Sequence, residues 1–426
     1  MSDRKFGMET RCLHAGQRPD QTGARAVPIH QNVAYVFDDV EHAAGLFNLQ
    51  TFGNIYTRIM NPTNGVFEER MATLEGGRGA LATASGMAAQ STALLTLLGA
   101  GDEMVAANTL YGGTVAQFNV TFRKLGINAC FVDPADPANF ARALTAKTKL
   151  LYAETIGNPL NNILDIAAVA AIAHEAGIPL VVDNTMATPC LCRPMEHGAD
   201  IVVHSATKFI GGHGTSIGGV IIDSGAFPWD NGNFPAMTEP SAGYHGLRFY
   251  ETFGDMAYIM KTRCENLRTM GACLSPFNSF LFLQGLETLP LRMERHCRNA
   301  EAVAGFLKQH RAVSWVKYAG ADDSQRALAE KYLPAGAGAV LTFGIKGGFD
   351  AGVKFIESAQ FLSHLANIGD AKTLIIHPAS TTHRQLSEEE RAAAGVTSDM
   401  VRMSVGLETL DDILWDTGRA LEESQR

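Results

Sequence analysis

Short apolar runs recur through the middle of the chain at Lys149–Glu154, Pro179–Asn184, Asp200–His204 and Gly219–Asp223, within a stretch from about residue 65 to about 265 where such runs alternate with helical segments. This alternation constrains the fold more than any other feature. A strand reaches a parallel neighbour only through a crossover, and a helix is the usual crossover. Between the first two runs lies IAAVAAIAHEAG, in which Ile166, Val169, Ala170 and Ala173 repeat at helical spacing and Gly177 can take the left-handed position beyond the last turn. The predicted unit is β-α-β, and the predicted fold class is α/β with a mostly parallel sheet in a large domain.

At 426 residues the chain exceeds what one hydrophobic core usually supports. Residues 1–64 lack the alternation and are dense in Gly, Asn, Gln and Pro, which predicts an arm stabilised by contacts elsewhere. Residues 65–265 read as the large domain. After about residue 270 the texture shifts to long charged helices such as LPLRMERHCRNAEAVAGFLKQH and a strand-like GAVLTFGI, so residues 266–426 read as a smaller α+β domain. No repeat of solenoid or propeller period is present.

Charge and cysteine usage narrow the partners. A formal net charge of -9 argues against a nucleic-acid binder, which needs clustered Lys and Arg to neutralise phosphates, and favours a small-molecule partner. Seven cysteines without a CxxC pair predict reduced thiols in a cytoplasmic protein, rather than a disulfide framework or a zinc site. The opening MSDRKFGMETRCLHAG has no apolar core of a secretory signal. From Gly79 to Gly101 no residue is charged, which reaches the length of a membrane span, but its Ala, Ser, Thr, Gly and Gln content predicts a buried helix.

The chemistry centres on HSATKFIGGHGTSIGG, where Lys208 follows directly on a buried strand and precedes a glycine-rich turn. A Lys at a strand end is more often solvated or ion-paired. An amine in a partly desolvated pocket, however, loses basicity and becomes a nucleophile toward an aldehyde. Asp183 ends the run PLVVDNT, where its carboxylate could pair with a protonated ring nitrogen, or serve only as a turn residue. In SGMAAQSTALLTLL, Ser85 and Gly86 open a helix whose free N–H groups could hold a phosphate. Ser205 and Thr207 share a face by the period of two and offer hydroxyls to the same anion. The glycines match neither GxGxxG nor GxxxxGKS, so a nucleotide site fits poorly, and His204 and His213 beside the Lys read as structural rather than as metal ligands.

Together these segments closely resemble the Cys/Met-metabolism family of fold-type-I pyridoxal-phosphate (PLP) enzymes over nearly the whole chain. The resemblance implies that Lys208 forms the internal aldimine and acts as catalytic base, and that Tyr111, in LYGGT, stacks on the pyridine ring and belongs to the catalytic set. It implies a phosphate cup made from Ser85, Gly86, Met87, Ser205 and Thr207, with Asp183 on the ring nitrogen. Asn158, in ETIGNP, would sit near the phenolic oxygen and the substrate carboxylate, and Arg402, in MVRMSVGLE, would clamp that carboxylate. YTRIMNPT looks like the family's phosphate arm, so Tyr56 and Arg58 would reach the PLP of a neighbouring subunit in a homo-oligomer, a tetramer built from such dimers. No metal is implied.

Within the family, SHLANIGDAKTLIIHPASTTHRQLSEEE carries Asn367-Ile368-Gly369 where cystathionine enzymes and γ-lyases usually read Ser-Leu-Gly. The insertion FPAMTEPSAGYHGLRFYETFG points to the same branch, and Gly113 stands where methionine γ-lyases typically carry a Cys. Met60 departs from the arm motif's commoner Ser or Asn. The activity implied is a γ-replacement in which sulfide or methanethiol displaces acetate from O-acetylhomoserine, for amino-acid biosynthesis. The alternatives are a γ-lyase, a cystathionine γ-synthase, a succinyl-ester sulfhydrylase or a PLP-binding protein without catalysis.

Overall fold

The computed structural model describes residues 5–385, 387, 391 and 395–426. The larger sheet holds β1 (Gly79–Thr83), β2 (Glu103–Ala107), β3 (Asn128–Val132), β4 (Thr148–Glu154), β5 (Leu180–Asp183), β6 (Ile201–Ser205) and β7 (Gly219–Asp223). They lie in the order β1-β7-β6-β5-β4-β2-β3. From β3 to β6 all neighbours are parallel, while β7 is antiparallel to both β6 and β1. The four expected runs coincide with β4 to β7 to within a residue at each end. β5 and β6 are continuous apolar runs because helices cover both faces of a parallel sheet. The helix Ile166–Glu175 makes the expected crossover between β4 and β5, with Asp165 accepting from the Ala168 N–H at its start and Gly177 at φ 67° beyond its end.

The uncharged stretch Gly79–Gly101 is not the single buried helix expected. It divides into β1 and a helix, Gly86–Leu95, because its first five residues pair with β7 and are buried throughout. The arm carries short helices, Met8–His14 and Val40–Phe47, and the helix Pro62–Glu75 runs across position 64. Among the described residues no helix is long and apolar enough to cross a membrane.

The smaller sheet consists of β8 (Val313–Lys317), β9 (Val340–Ile345), β10 (Ser363–His364), β11 (Leu374–Ile376) and β12 (Met400–Ser404), in the order β10-β11-β12-β9-β8. The charged helix Leu289–Gln309 packs on β8 and β9. β4, β5 and β6 end at one edge of the larger sheet, at Glu154, Asp183 and Ser205, and such a carboxyl edge is where ligands settle in open parallel sheets.

Asp223, at the end of β7, illustrates what burial does to a carboxyl. Its Oδ1 accepts from the Gly225 N–H at 3.0 Å, while Oδ2 is buried without a partner. Burial, reinforced by Asp200 and Asp255, pushes the carboxyl up to about 7. Between about pH 4 and pH 7 the folded chain then holds a proton that the unfolded chain has lost, so stability falls as pH rises through that window. The effect amounts to roughly 4 kcal/mol at most. Thermal unfolding of Asp223→Asn is therefore expected to show a larger gain over the parent at pH 8 than at pH 5. An equal difference at both pH values would contradict the assignment.

Candidate functional site

Lys208 leaves β6 through a tight turn in which its N–H donates to the Ser205 carbonyl at 3.1 Å and its carbonyl accepts from Gly212 at 2.8 Å. The turn aims the side chain into a cavity of about 270 Å³ beyond the strand ends. There its Nζ donates to Oδ1 of Asn367 at 2.6 Å. Burial, and then the charge of Arg402, bring the amine down to about 8, so about a tenth is the free nucleophile at pH 7, far more than for an ordinary lysine.

One wall of the cavity is the N-terminus of the helix Gly86–Leu95. Ser85 caps it, its Oγ accepting from the Ala88 N–H at 3.0 Å, which leaves the first-turn N–H groups of Gly86 and Met87 without helical acceptors. A Cβ on Gly86 would lie within 2.5 Å of the Ser205 Cβ, so only glycine lets the helix end rest on β6. The Thr207 hydroxyl both donates to and accepts from Gly218, at 3.1 Å each, and fixes the glycine turn. The result is a concave set of donors at a positive dipole end, suited to a phosphate.

Opposed chemistry lines the rest. Asp183 accepts from the Thr185 N–H at 2.9 Å, and burial raises its carboxyl, which makes it a strong partner for a cationic ring nitrogen. Tyr111 stands half exposed at the cavity, preceding the short helix Gly112–Ala116. Its backbone N–H donates to Glu154 Oε1 at 2.6 Å. A Cβ at Gly113 would collide with the Tyr111 ring, so the ring lies back against the glycine. Arg402 points from β12 into the same cavity, and among the described residues it has no carboxylate partner. An unpaired, partly buried guanidinium is costly unless an anion arrives to satisfy it.

Ser85, Gly86, Met87, Tyr111, Asn158, Asp183, Ser205, Thr207, Lys208 and Arg402 thus line one cavity, although they span more than three hundred residues of sequence. Tyr56 and Arg58 do not line it. They sit on the arm, where the Arg58 guanidinium lies 5.5 Å from the Tyr56 ring centroid and donates to the Arg268 carbonyl. His204 is buried against Glu75 at 2.6 Å, and His213 bonds the Gly211 carbonyl. Leu386 and Glu388–Glu390, at the end of the C-terminal signature, lie outside the described residues.

Ten of the cavity's lining residues were absent from the expected site, among them Asn367, Glu154 and Gln90. Asn367 stood out in the sequence only as a departure from Ser-Leu-Gly, and Glu154 only as the end of a strand and the start of ETIGNP. Gln90 lies one turn into the phosphate-facing helix and accepts from Thr114 and from Tyr152. The lining fits PLP: a nucleophilic amine, a donor cup whose helix end can rest on β6 only through Gly86, and a buried carboxyl that gains from a ring cation.

Comparison with known proteins agrees. Residues 9–422 match the family described as Cys/Met metabolism PLP-dependent enzymes. The chain is 56% identical to the O-acetyl-L-homoserine sulfhydrylase of Leptospira meyeri, covering 98% of this chain and 97% of that one. It is 53% identical to the homocysteine synthase of Schizosaccharomyces pombe, covering 97% and 98%. A crystal structure of the putative O-acetylhomoserine (thiol)-lyase from Campylobacter jejuni, which contains N'-pyridoxyl-lysine-5'-monophosphate, superposes with a TM-score of 0.95 at 40% identity, covering 98% of this chain and 100% of that one.

Proposed function

The chain belongs to the Cys/Met metabolism PLP-dependent enzymes, and from that premise we propose that Lys208 is the attachment site of PLP in an enzyme that transfers the aminocarboxypropyl group of O-acetylhomoserine to sulfide. The products are homocysteine and acetate. Methanethiol in place of sulfide gives methionine. The observation that carries the site assignment is the shared cavity: the Lys208 amine and the unpaired Arg402 guanidinium face it together with Asp183 and the N-terminus of the helix Gly86–Leu95.

PLP supplies the electron sink that makes protons at Cα and Cβ of an amino acid removable. The chain's own residues do the rest. Arg402 binds the substrate carboxylate with its planar fork, and Asn158 assists it. Lys208, with an amine near 8, takes a proton from Cα and shuttles a proton from Cβ, and later returns them. Asp183 holds the ring nitrogen, Tyr111 covers the ring face, and Ser85, Gly86, Met87, Ser205 and Thr207 hold the phosphate. Gly113 and Asn367 set this site apart from γ-lyase sites, because they fix the Tyr111 ring and the resting place of the Lys208 amine. Whether a thiol captures Cγ before water and a proton do so depends on that geometry.

Product analysis with O-acetylhomoserine and sulfide is expected to yield homocysteine and acetate, with little 2-oxobutyrate from methionine alone. Equal rates of 2-oxobutyrate formation from methionine, or a strong preference for cysteine over sulfide as acceptor, would overturn the assignment.

Tyr56 and Arg58 complete the phosphate site of a neighbouring copy in a dimer, and dimers pair into a tetramer. This reading is supported by their position outside their own cavity and by the apolar side chains the arm exposes, among them Val36, Val40 and Phe52. Co-expressed Arg58→Ala and Lys208→Ala chains should then recover about a quarter of wild-type activity, since half of randomly paired dimers are mixed and each has one intact site. No recovery, with Arg58→Ala alone binding PLP as the parent does, would leave the arm structural. Seven free cysteines accord with a cytoplasmic setting.

A further inference from the structure

We infer that Glu154 remains a neutral carboxylic acid in the PLP-loaded enzyme and is the positioning residue for Tyr111. The register of β4 and β5 sets Glu154 directly beside Asp183, so two carboxyl groups leave adjacent strand ends on the same face and line the same cavity. Among the described residues no Lys, Arg or His makes an ion pair with Glu154, although Lys208 and Arg402 line the same cavity. The groups that face it are Asp183 from β5 and Tyr152 from its own strand, and the Tyr152 hydroxyl is already donated to Gln90 Oε1 at 2.7 Å.

Two buried carboxyls side by side cannot both ionise without compensation. The inference rests on the reading of Asp183 as the partner of the ring nitrogen. Asp183 then carries the negative charge, and the proton of the pair stays on Glu154. Burial and the neighbouring Asp183 both push the Glu154 carboxyl well up, in the same direction.

A neutral carboxyl still accepts through its carbonyl oxygen, and Glu154 Oε1 takes the Tyr111 N–H at 2.6 Å. That N–H has no helical acceptor, because Tyr111 precedes the helix, while its own carbonyl accepts from Thr114 at 2.8 Å and Val115 at 3.1 Å. The backbone of Tyr111 is thereby pinned on both sides. With Gly113 leaving room for the ring, Glu154 determines where that ring lies against the cofactor.

Infrared difference spectra of the PLP-loaded protein at neutral pH, parent minus Glu154→Gln, should contain the carbonyl stretch of a protonated carboxylic acid. The same band should survive in Asp183→Asn. Its absence from the first difference, or its loss in Asp183→Asn instead, would overturn the inference. The visible circular dichroism of the bound cofactor, which responds to the aromatic ring stacked on it, should be kept in Glu154→Gln and fall at least about twofold in Glu154→Ala as the pin is lost. Equal losses in the two variants, or none in either, would overturn the positioning role. Failure of the underlying reading shows itself separately, as parent-like PLP affinity in Asp183→Asn.

Discussion

Replacing Lys208 by Ala is expected to lower turnover by about 10³-fold or more, because one side chain performs both covalent attachment and proton transfer. The protein should still bind PLP, since the phosphate cup and Asp183 do not depend on the amine, but the bound cofactor should exchange freely and resist fixation by borohydride. Lys208→Arg tests the chemistry more narrowly. It keeps a cation in the 270 Å³ cavity and cannot act as an amine nucleophile, so it should be as inactive as the Ala variant. Activity in either variant near that of the parent would remove Lys208 from the mechanism.

Arg402→Ala should cost about 100-fold in kcat/KM, carried chiefly by KM, because the lost interaction is made to the substrate carboxylate before and during reaction. Arg402→Lys should restore only part of it, since a point charge cannot grip a carboxylate with two parallel bonds. A second consequence follows from electrostatics. The Arg402 charge helps bring the Lys208 amine down to about 8 from 10.5. Removing it lets the amine rise, so the pH at which the PLP-free protein captures PLP half-maximally should move upward in Arg402→Ala. No upward shift would mean that the Arg402 charge does not act on the Lys208 amine in solution.

The strands that carry the site were legible because β4, β5, β6 and β7 are each built round a short apolar run, and their ends delivered Asp183, Ser205 and Lys208 to one edge. The helical period of Ile166–Glu175 and the glycine after it gave the crossover. Strand direction was less visible. β7 returns antiparallel after residues 206–218, a glycine-rich connection with no crossover helix. β1 was hidden in an uncharged stretch whose composition suits a buried helix equally well, and only its pairing with β7 separates the two.

For the site itself, Lys208, Asp183, Ser85, Gly86, Ser205 and Thr207 were legible from their chemistry at strand ends and at a helix start, whereas Met87, Tyr111, Asn158 and Arg402 were expected only from the family resemblance. Asn367 and Glu154 escaped for a physical reason. A carboxamide in a loop and a carboxylate at a strand end are ordinary in sequence. Their roles depend on contacts with Lys208, 159 residues away, and with Tyr111, 43 residues away, which no local pattern encodes.

The account stands on Lys208, and reduction of the PLP-loaded protein with borohydride followed by peptide mapping tests it most directly. The cofactor should be found on the peptide containing Lys208 and should be missing after reduction of Lys208→Ala. Recovery of the cofactor on any other lysine, or no covalent cofactor on the parent chain, would contradict it.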